Sequence, residues 1–593
     1  MIQGIGASPG IAIGKAFVLP TWEWELPDGP LDVADLAYEM ERLSEGIRTS
    51  KEELEKIKQD MTEVLGSQES TIFDAHIAIL EDPIFLNEIH SLIQRGPHTA
   101  EAAVKIAVDK FVGMFDLLDD DYMKERALDV KDVGNRLLKA LLGSEEETLP
   151  PKDQPYILVA KELTPSQFSR LEPTNMLGIV TVLGGTTSHV AIMARALNIP
   201  YVLGLESKLP GTLATGDPMI LDGRKGIVIV HPSEAELNEY RERQKAEGAL
   251  SERLASVAQM PAETADGIPL RIDANISSLK ELEQALRYGA SSVGLLRSEF
   301  LYMDRPNFPT EDEQYEVYRR AAALLGDRPL VIRTLDIGGD KQLDYFPLPE
   351  EENPSLGYRA IRIMLERTDL FKTQLRAILR ANERGNIRIL YPMIASLEDV
   401  RSANRLLDEA KRELAQAGVS HPMDVPVGMM IELPAAAMMA DLFAKEVDFF
   451  SIGTNDLVQY VLAVDRMNDQ IAHLYDPYHP AVLRLLKLTM DGAKAAGIPV
   501  SVCGELAGDP LALPLWLGLG VSAISMSTHS LLNVKHRLRE LTAEGAPELV
   551  ASLLAEGSSA DIRKRLQDWA AARQAAGRSD ETPAHVSIKS VEG

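Results

Sequence analysis

The chain has 593 residues, with 61 Lys+Arg against 89 Asp+Glu and a formal charge of −28, which excludes a nucleic-acid-backbone binder and favours basic protein partners. At roughly 100–200 residues per domain the length points to about three or four domains, and 45% apolar with 25% charged residues is the composition of an ordinary globular protein. The single cysteine, Cys503, rules out an intrachain disulfide, no apolar run follows Met1, and none is long enough to cross a bilayer, so the expectation is a cytoplasmic protein without membrane insertion.

Residues 1–20, apolar and punctuated by glycine, predict a strand and a tight turn. From Asp32 the texture changes: Leu36, Met40, Leu43, Ile47, Leu54, Ile57, Met61 and Val64 recur at alternating three and four spacing, with Ser50 filling the gap. That period predicts a long amphipathic helix with one coiled-coil-like seam. Further helical patterns run to about Leu142, so 31–145 reads as an all-α insert. Its acidic runs, Glu52-Glu53, Glu81-Asp82 and Asp119-Asp120-Asp121, are either a solvated face or a dock for a basic partner.

Short apolar runs at 156–160, 177–183, 218–221 and 226–230 alternate with glycine turns and one helix, so 1–30 plus 146–232 predict a compact α/β unit. The polar stretch 233–261 predicts a helical linker. Beyond it, apolar runs at 270–274, 292–296, 329–334, 387–393, 425–431, 447–452, 499–503 and 521–526 are separated mostly by helical patterns, and this alternation predicts a (β/α)8 TIM barrel over 262–575. The stretch 576–593 lacks periodicity and is expected to be mobile. The fold class is thus a multidomain α/β protein: an N-terminal α/β domain with an inserted all-α subdomain, then a barrel.

A barrel of this kind does its chemistry at the C-terminal ends of its strands. The residues there are Asn275, Arg297, Arg333, Glu432, Asn455 with Asp456, and Cys503. Arg297, Arg333 and Arg466 offer forked donors for phosphate or carboxylate, and Glu432 and Asp456 offer hard oxygen ligands for a magnesium ion that keeps its other positions for water and substrate. Each of these residues taken singly also reads as a structural ion pair. Cys503 is either a small buried hydrophobe or a proton donor. A second constellation, GGTTSHVAIMAR at 184–195, runs a strand through a Gly-Gly turn and hydroxyl caps into a helix starting near His189. The helix start would stabilise a phosphorylated imidazole there.

These pieces, with GIGASPGIAIGKA at 4–16, ERALDVKDVGNRLL at 125–138, GLLRSEFLYMDR at 294–305, RTLDIGGDK at 333–341, NPSLGYRAIR at 353–362, IELPAAA at 431–437, GTNDLVQYVLAVDR at 453–466 and CGELAGD at 503–509, resemble the Enzyme I family of the bacterial phosphotransferase system, among the phosphoenolpyruvate-utilising enzymes. The resemblance covers almost the whole chain. It implies phosphoryl transfer from phosphoenolpyruvate to His189 and on to a histidine of the phosphocarrier protein HPr, with release of pyruvate, a requirement for Mg2+, and a homodimer through the barrel. Carried over by position, it implies that Arg297 and Arg333 bind phosphate, Glu432 and Asp456 ligate the metal, Asn455, Asp456 and Arg466 touch substrate, and Cys503 donates the proton. The chain departs from the family's usual Gly-Gly-Arg-Thr-Ser-His at Thr186. A dikinase or synthase of the same superfamily would need a nucleotide-binding domain and no GxxxxGK[ST] motif is present; a catalytically silent scaffold is opposed by the intact His189, Glu432, Asp456 and Cys503.

Overall fold

The computed structural model describes residues 1–20, 36–64, 72–95, 98–116, 121–143, 150, 154–186, 188–205, 213–303, 305–339, 341, 343, 345–419, 424–468 and 470–577. The chain forms two compact units, 1–249 and 250–593, and the boundary falls inside the helix Glu234–Ser256, where the sequence predicts a helical linker. Of the expected mobile tail, 576–593, the first two residues end the helix Ser559–Gly577, and 578–593 lie outside the described residues.

The first unit is built on a sheet of β1 (Ile2–Gln3), β2 (Ile5–Ser8), β3 (Ile11–Val18), β4 (Tyr156–Ala160), β5 (Met176–Thr181), β6 (Tyr201–Leu203), β7 (Pro218–Asp222) and β8 (Ile227–Val230), in the order β1-β8-β7-β3-β4-β5-β6-β2. The β3–β4, β4–β5 and β5–β6 pairs are parallel, and the rest antiparallel. The opening 20 residues thus give three strands rather than one, because Gly10, at φ 127°, turns the chain back between β2 and β3.

Between β3 and β4 lie helices α1 (Leu36–Val64), α2 (Ile72–Leu80), α3 (Pro83–Arg95), α4 (Ala100–Asp116) and α5 (Asp121–Leu142). The predicted seam of α1 is the buried one: Leu43, Ser50, Leu54 and Met61 are buried, and Met40, Ile47 and Ile57 pack at its edge. Helix packing rather than intrinsic propensity therefore holds this run together. Of the acidic residues within it, Asp82 caps α3 by accepting from the Ile84 and Phe85 amides at 2.8 and 2.9 Å, Glu81 meets Lys51 at 2.5 Å, and Glu53 meets the buried Arg136 at 2.7 Å. Asp119 and Asp120 lie outside the described residues.

The second unit is a closed barrel of parallel strands β9 (Arg271–Ile276), β10 (Val293–Arg297), β11 (Leu330–Arg333), β12 (Ile387–Tyr391), β13 (Val427–Ile431), β14 (Phe449–Gly453), β15 (Val500–Cys503) and β16 (Ala523–Met526), with β16 returning to pair β9. Each of the eight predicted runs overlaps one of them, with β9, β10 and β14 running one or two residues further. Leu295, Val331, Leu390, Met430, Phe449 and Cys503 form one apolar cluster, and a larger core joins the strands to the surrounding helices. Among the described residues no helix is long and apolar enough to cross a membrane.

Candidate active site

The strand ends of the barrel carry the predicted chemistry into a cleft of about 320 Å3. Arg297 and Arg333 are the last residues of β10 and β11 and sit directly opposite each other in the parallel register. Glu432 follows β13, Asn455 and Asp456 open the helix Thr454–Leu462 directly after β14, and Cys503 ends β15. All six line the cleft together with Arg466. Asn275 does not: its side chain is committed to β16, accepting from the Ser525 hydroxyl at 2.6 Å and donating to the Ser525 carbonyl at 3.3 Å.

The cleft also holds Glu299, Asp336, Lys341 and Arg359. Glu299 Oε1 accepts from Arg333 at 2.5 Å and Lys341 at 2.7 Å, while Asp336 meets Arg333 at 3.1 Å, Lys341 at 3.2 Å and Arg359 at 3.1 Å. Burial alone would lower the pKa of Arg333, but Glu299 and Asp336 outweigh it and raise it. Burial would likewise raise Glu299, and Arg333 with Lys341 reverses that and holds it below the usual carboxylate range. The charges of Arg333 and Glu299 are therefore kept in a place where a lone charge would be neutralised. These residues stand inside the quoted motifs, so a signal for them existed; their mutual pairing arises only when β10 and β11 are brought side by side.

Several buried polar atoms of the cleft have no hydrogen-bond partner among the described residues: Nε of Arg333, Nε of Arg359, Nη1 of Arg466, Oε2 of Glu299 and Oε2 of Glu432. An unsatisfied buried donor or acceptor is costly, about 1–3 kcal/mol each. Three cationic donors and two carboxylate oxygens left open in one cleft fit an anionic ligand beside a cation. Among the described residues no group of three or more His, Cys, Asp and Glu could hold a metal by itself. Glu432 and Asp456 suit a magnesium ion that takes its remaining ligands from water and substrate. Glu432, buried and facing Asp456 and Asp336, has its pKa pushed up to about 8, with Arg333 and Arg359 only partly opposing. A divalent cation would relieve that strain.

Cys503 is fully buried; Ser451 Oγ donates to its sulfur at 3.4 Å, and the thiol faces the Ile452 carbonyl at 3.5 Å. Burial pushes its pKa up to about 11, with the Ser451 hydrogen bond and Arg333 opposing, so the sulfur carries its proton at neutral pH.

In the first unit, Gly184 takes φ 124°, and Ser188 caps the helix His189–Ala196 by accepting from the Ala191 amide at 3.3 Å. His189 is therefore the first helical residue, as its motif predicts, and is half-buried. Thr187 lies outside the described residues. At the departure from the family pattern, the Thr186 carbonyl accepts from Arg195 Nη1 at 3.0 Å, and the same nitrogen donates to Ala7 at 2.9 Å. A guanidinium from the far end of the helix thus braces the loop whose own arginine is missing.

Residues 251–543 match the PEP-binding domain of the PEP-utilising enzymes, 3–126 match their N-terminal domain and 152–226 their mobile domain. The chain is 45% identical over 561 residues to a phosphoenolpyruvate-protein phosphotransferase of Geobacillus stearothermophilus, covering 95% of this chain and 96% of that one. A protein of the same name from Bacillus subtilis is 44% identical over 561 residues, covering 95% and 98%. Among solved structures, one of Enzyme I by NMR aligns at 35% identity and a TM-score of 0.36 over 42% of this chain and 100% of its own.

Proposed function

This chain belongs to the phosphoenolpyruvate-protein phosphotransferase family, and from that membership we propose that it transfers the phosphoryl group of phosphoenolpyruvate to its own His189 and then to a histidine of the phosphocarrier protein HPr, releasing pyruvate as the first step of the sugar phosphotransferase system. The observation that carries the reading is the barrel cleft, where open guanidinium edges of Arg333, Arg359 and Arg466 surround Glu432, Asp456 and a protonated Cys503.

The chemistry divides among these residues. Arg297, Arg333 and Arg359 hold the phosphate as forked donors and spread the charge of the transferring phosphoryl. Arg466 and Asn455 orient the carboxylate end, so the bridging P–O bond lies in line with an incoming imidazole. His189 supplies that nitrogen: the N–P bond forms as the bond from phosphorus to the enol oxygen breaks, and the electron pair stays on the enolate. The helix start beginning at His189, capped by Ser188, favours the added negative charge. Cys503 then gives its proton to the enolate methylene carbon, making pyruvate, and the thiolate regains a proton from water. Glu432 and Asp456 would hold Mg2+, which when bound stabilises negative charge on the substrate oxygens. His189 belongs to one unit and the cleft to the other, so its imidazole must enter the cleft to be phosphorylated and leave it to meet the carrier. A cytoplasmic location suits soluble partners of this kind, and exposed Met438, Leu442 and Leu488 on packed outer helices of the barrel support a homodimer through that unit. The direct test is incubation with phosphoenolpyruvate carrying a labelled phosphate, followed by location of the labelled residue; label on any residue other than histidine would refute the assignment.

The metal reading predicts a pH dependence. The folded protein holds the Glu432 proton more tightly than an unfolded chain, whose carboxyl titrates near 4.5. Its contribution to the stability of the metal-free protein is therefore fully present below about pH 4.5 and lost as pH rises through about 8. Cation and proton compete for the same oxygen, so magnesium affinity should rise from pH 6 to 8 and level off above, and the magnesium-induced shift in melting temperature should grow with it. Glu432→Gln should abolish that pH dependence; an unchanged profile would remove Glu432 as a ligand.

The carrier reading rests on the acidic surface of α1–α5 in a chain of charge −28. Carrier binding should weaken roughly tenfold or more between 50 and 500 mM salt, since the screening length falls from above about 10 Å to about 4 Å over that range. Because Asp82 and Glu53 are already engaged in capping and pairing, their neutralisation should cost stability as well as binding. Salt-independent affinity measured by calorimetry would rule out electrostatic docking.

A further inference from the structure

Arg297 and Arg333 are register partners on adjacent strands, and both line the cleft. What fixes their separation lies behind them. Ser298, the residue after Arg297, donates its hydroxyl hydrogen to the Arg333 carbonyl at 2.7 Å. Gln374, wholly buried on the helix Thr368–Ala381, donates to the Ser298 oxygen at 2.9 Å and to the Tyr318 hydroxyl at 3.2 Å, and accepts from the Leu335 amide at 2.9 Å. Tyr318 passes its own hydrogen to Gln314 Oε1 at 3.3 Å, where Tyr302 also donates at 3.0 Å, and Gln314 donates to the Pro309 carbonyl at 3.2 Å.

The direction of this chain is forced. Its ends are a backbone carbonyl at Arg333 and a backbone amide at Leu335, neither of which can exchange roles. Both amide hydrogens of Gln374 are thereby committed to hydroxyl oxygens, and Ser298 has only one hydrogen to give, which goes to Arg333. The side chains of this chain, Ser298, Gln314, Tyr302, Tyr318 and Gln374, are all buried at the level of the core. A network fully satisfied at such depth rigidifies what it joins.

We propose that Gln374 is a positioning residue for phosphate recognition: it ties the loop after Arg297 to the loop after Arg333 through Ser298 and Leu335 and so sets the spacing of the two arginines. The proposal rests on the reading that these arginines take the substrate phosphate. Gln374→Met removes the tie at nearly constant volume, and Gln374→Glu keeps the acceptor for Leu335 but offers Ser298 no hydrogen, so the single Ser298 proton must choose between two acceptors.

The test measures binding of phosphoenolpyruvate and of pyruvate by calorimetry on the full chain, beside melting temperature. Gln374→Met, Gln374→Glu and Ser298→Ala should each weaken phosphoenolpyruvate roughly tenfold while leaving pyruvate, which has no phosphate, unchanged. The double variant Gln374→Met with Ser298→Ala should be no worse than the weaker single, because both break one tie. Leu375→Ala, a core truncation on the same helix, should lower the melting temperature without this selectivity. Equal weakening of both ligands, or the same selectivity from Leu375→Ala, would overturn the proposal. Arg333→Met separates the two levels: if it weakens phosphoenolpyruvate and the Gln374 and Ser298 variants do not, the positioning role alone fails; if it has no effect, the phosphate reading falls and this proposal with it. Should Gln374→Met fail to fold, Ser298→Ala, a smaller change, carries the same comparison.

Discussion

His189→Ala should reduce labelling by phosphoenolpyruvate below detection, a loss of at least about a thousandfold in transfer to any carrier, because no other group takes over a covalent nucleophile once it is gone. The barrel should still bind phosphoenolpyruvate, since every arginine of the cleft lies in the other unit. In the unsubstituted protein the label should be acid-labile and stable to base, as a phosphorus–nitrogen bond is. An acid-stable, alkali-labile label would point to a hydroxyl such as Ser188, which is already occupied in capping its helix through the Ala191 amide. Retained labelling in His189→Ala would sink the assignment.

The second large effect belongs to Cys503. Cys503→Ser should slow net pyruvate formation by roughly 10²–10⁴-fold, the usual worth of a positioned general acid. Phosphoryl exchange between His189 and the carrier should continue, because only protonation of the enolate is lost. The hydroxyl is a far weaker acid than the thiol, and it would sit among the same apolar side chains of Leu295, Val331, Leu390, Met430 and Phe449. The pH profile gives a second check: the thiol, held up to about 11, stays protonated across the neutral range, so the protonation step should not fall off as pH rises from 7 to 9. Unchanged pyruvate formation in the serine variant would leave Cys503 as a core residue only.

The sequence made the barrel legible because each strand is a short apolar run set between helical patterns, a signal that needs no knowledge of partners. The site was legible for a related reason: a strand end is a fixed place in a barrel, and Arg297, Arg333, Glu432 and Cys503 could be read from where the apolar runs stop. The same rule misplaced Asn275, because a residue at a strand end can turn into the neighbouring strand, and its amide is used up on Ser525. Asp336, Lys341 and Arg359 follow no strand-end rule; their place depends on how the loops after β11 fold back over the cleft. Gln374 was out of reach altogether, since a glutamine in the middle of an amphipathic helix reads as solvent-facing until the helix is packed. In the first unit the small strand β6 went unseen, three residues being too few to show a period.

The arrangement of the first sheet bears on how the protein is made. β1 pairs with β8, Ile2 opposite Val228, so one edge of the sheet cannot form until more than 225 residues have been joined. At about 5–20 residues per second, translation needs roughly ten to fifty seconds to reach that point. Helices α1–α5, whose mutual packing spans shorter stretches of chain, can settle much earlier. Until β4 is made β3 waits with unpaired backbone edges, and until β6 is made so does β2, the kind of surface that recruits other strands, so the nascent protein is most open to aggregation before its helical insert is closed off by β4. Slower synthesis lengthens that exposure, while a chaperone that shields extended segments near the ribosome would shorten its consequences.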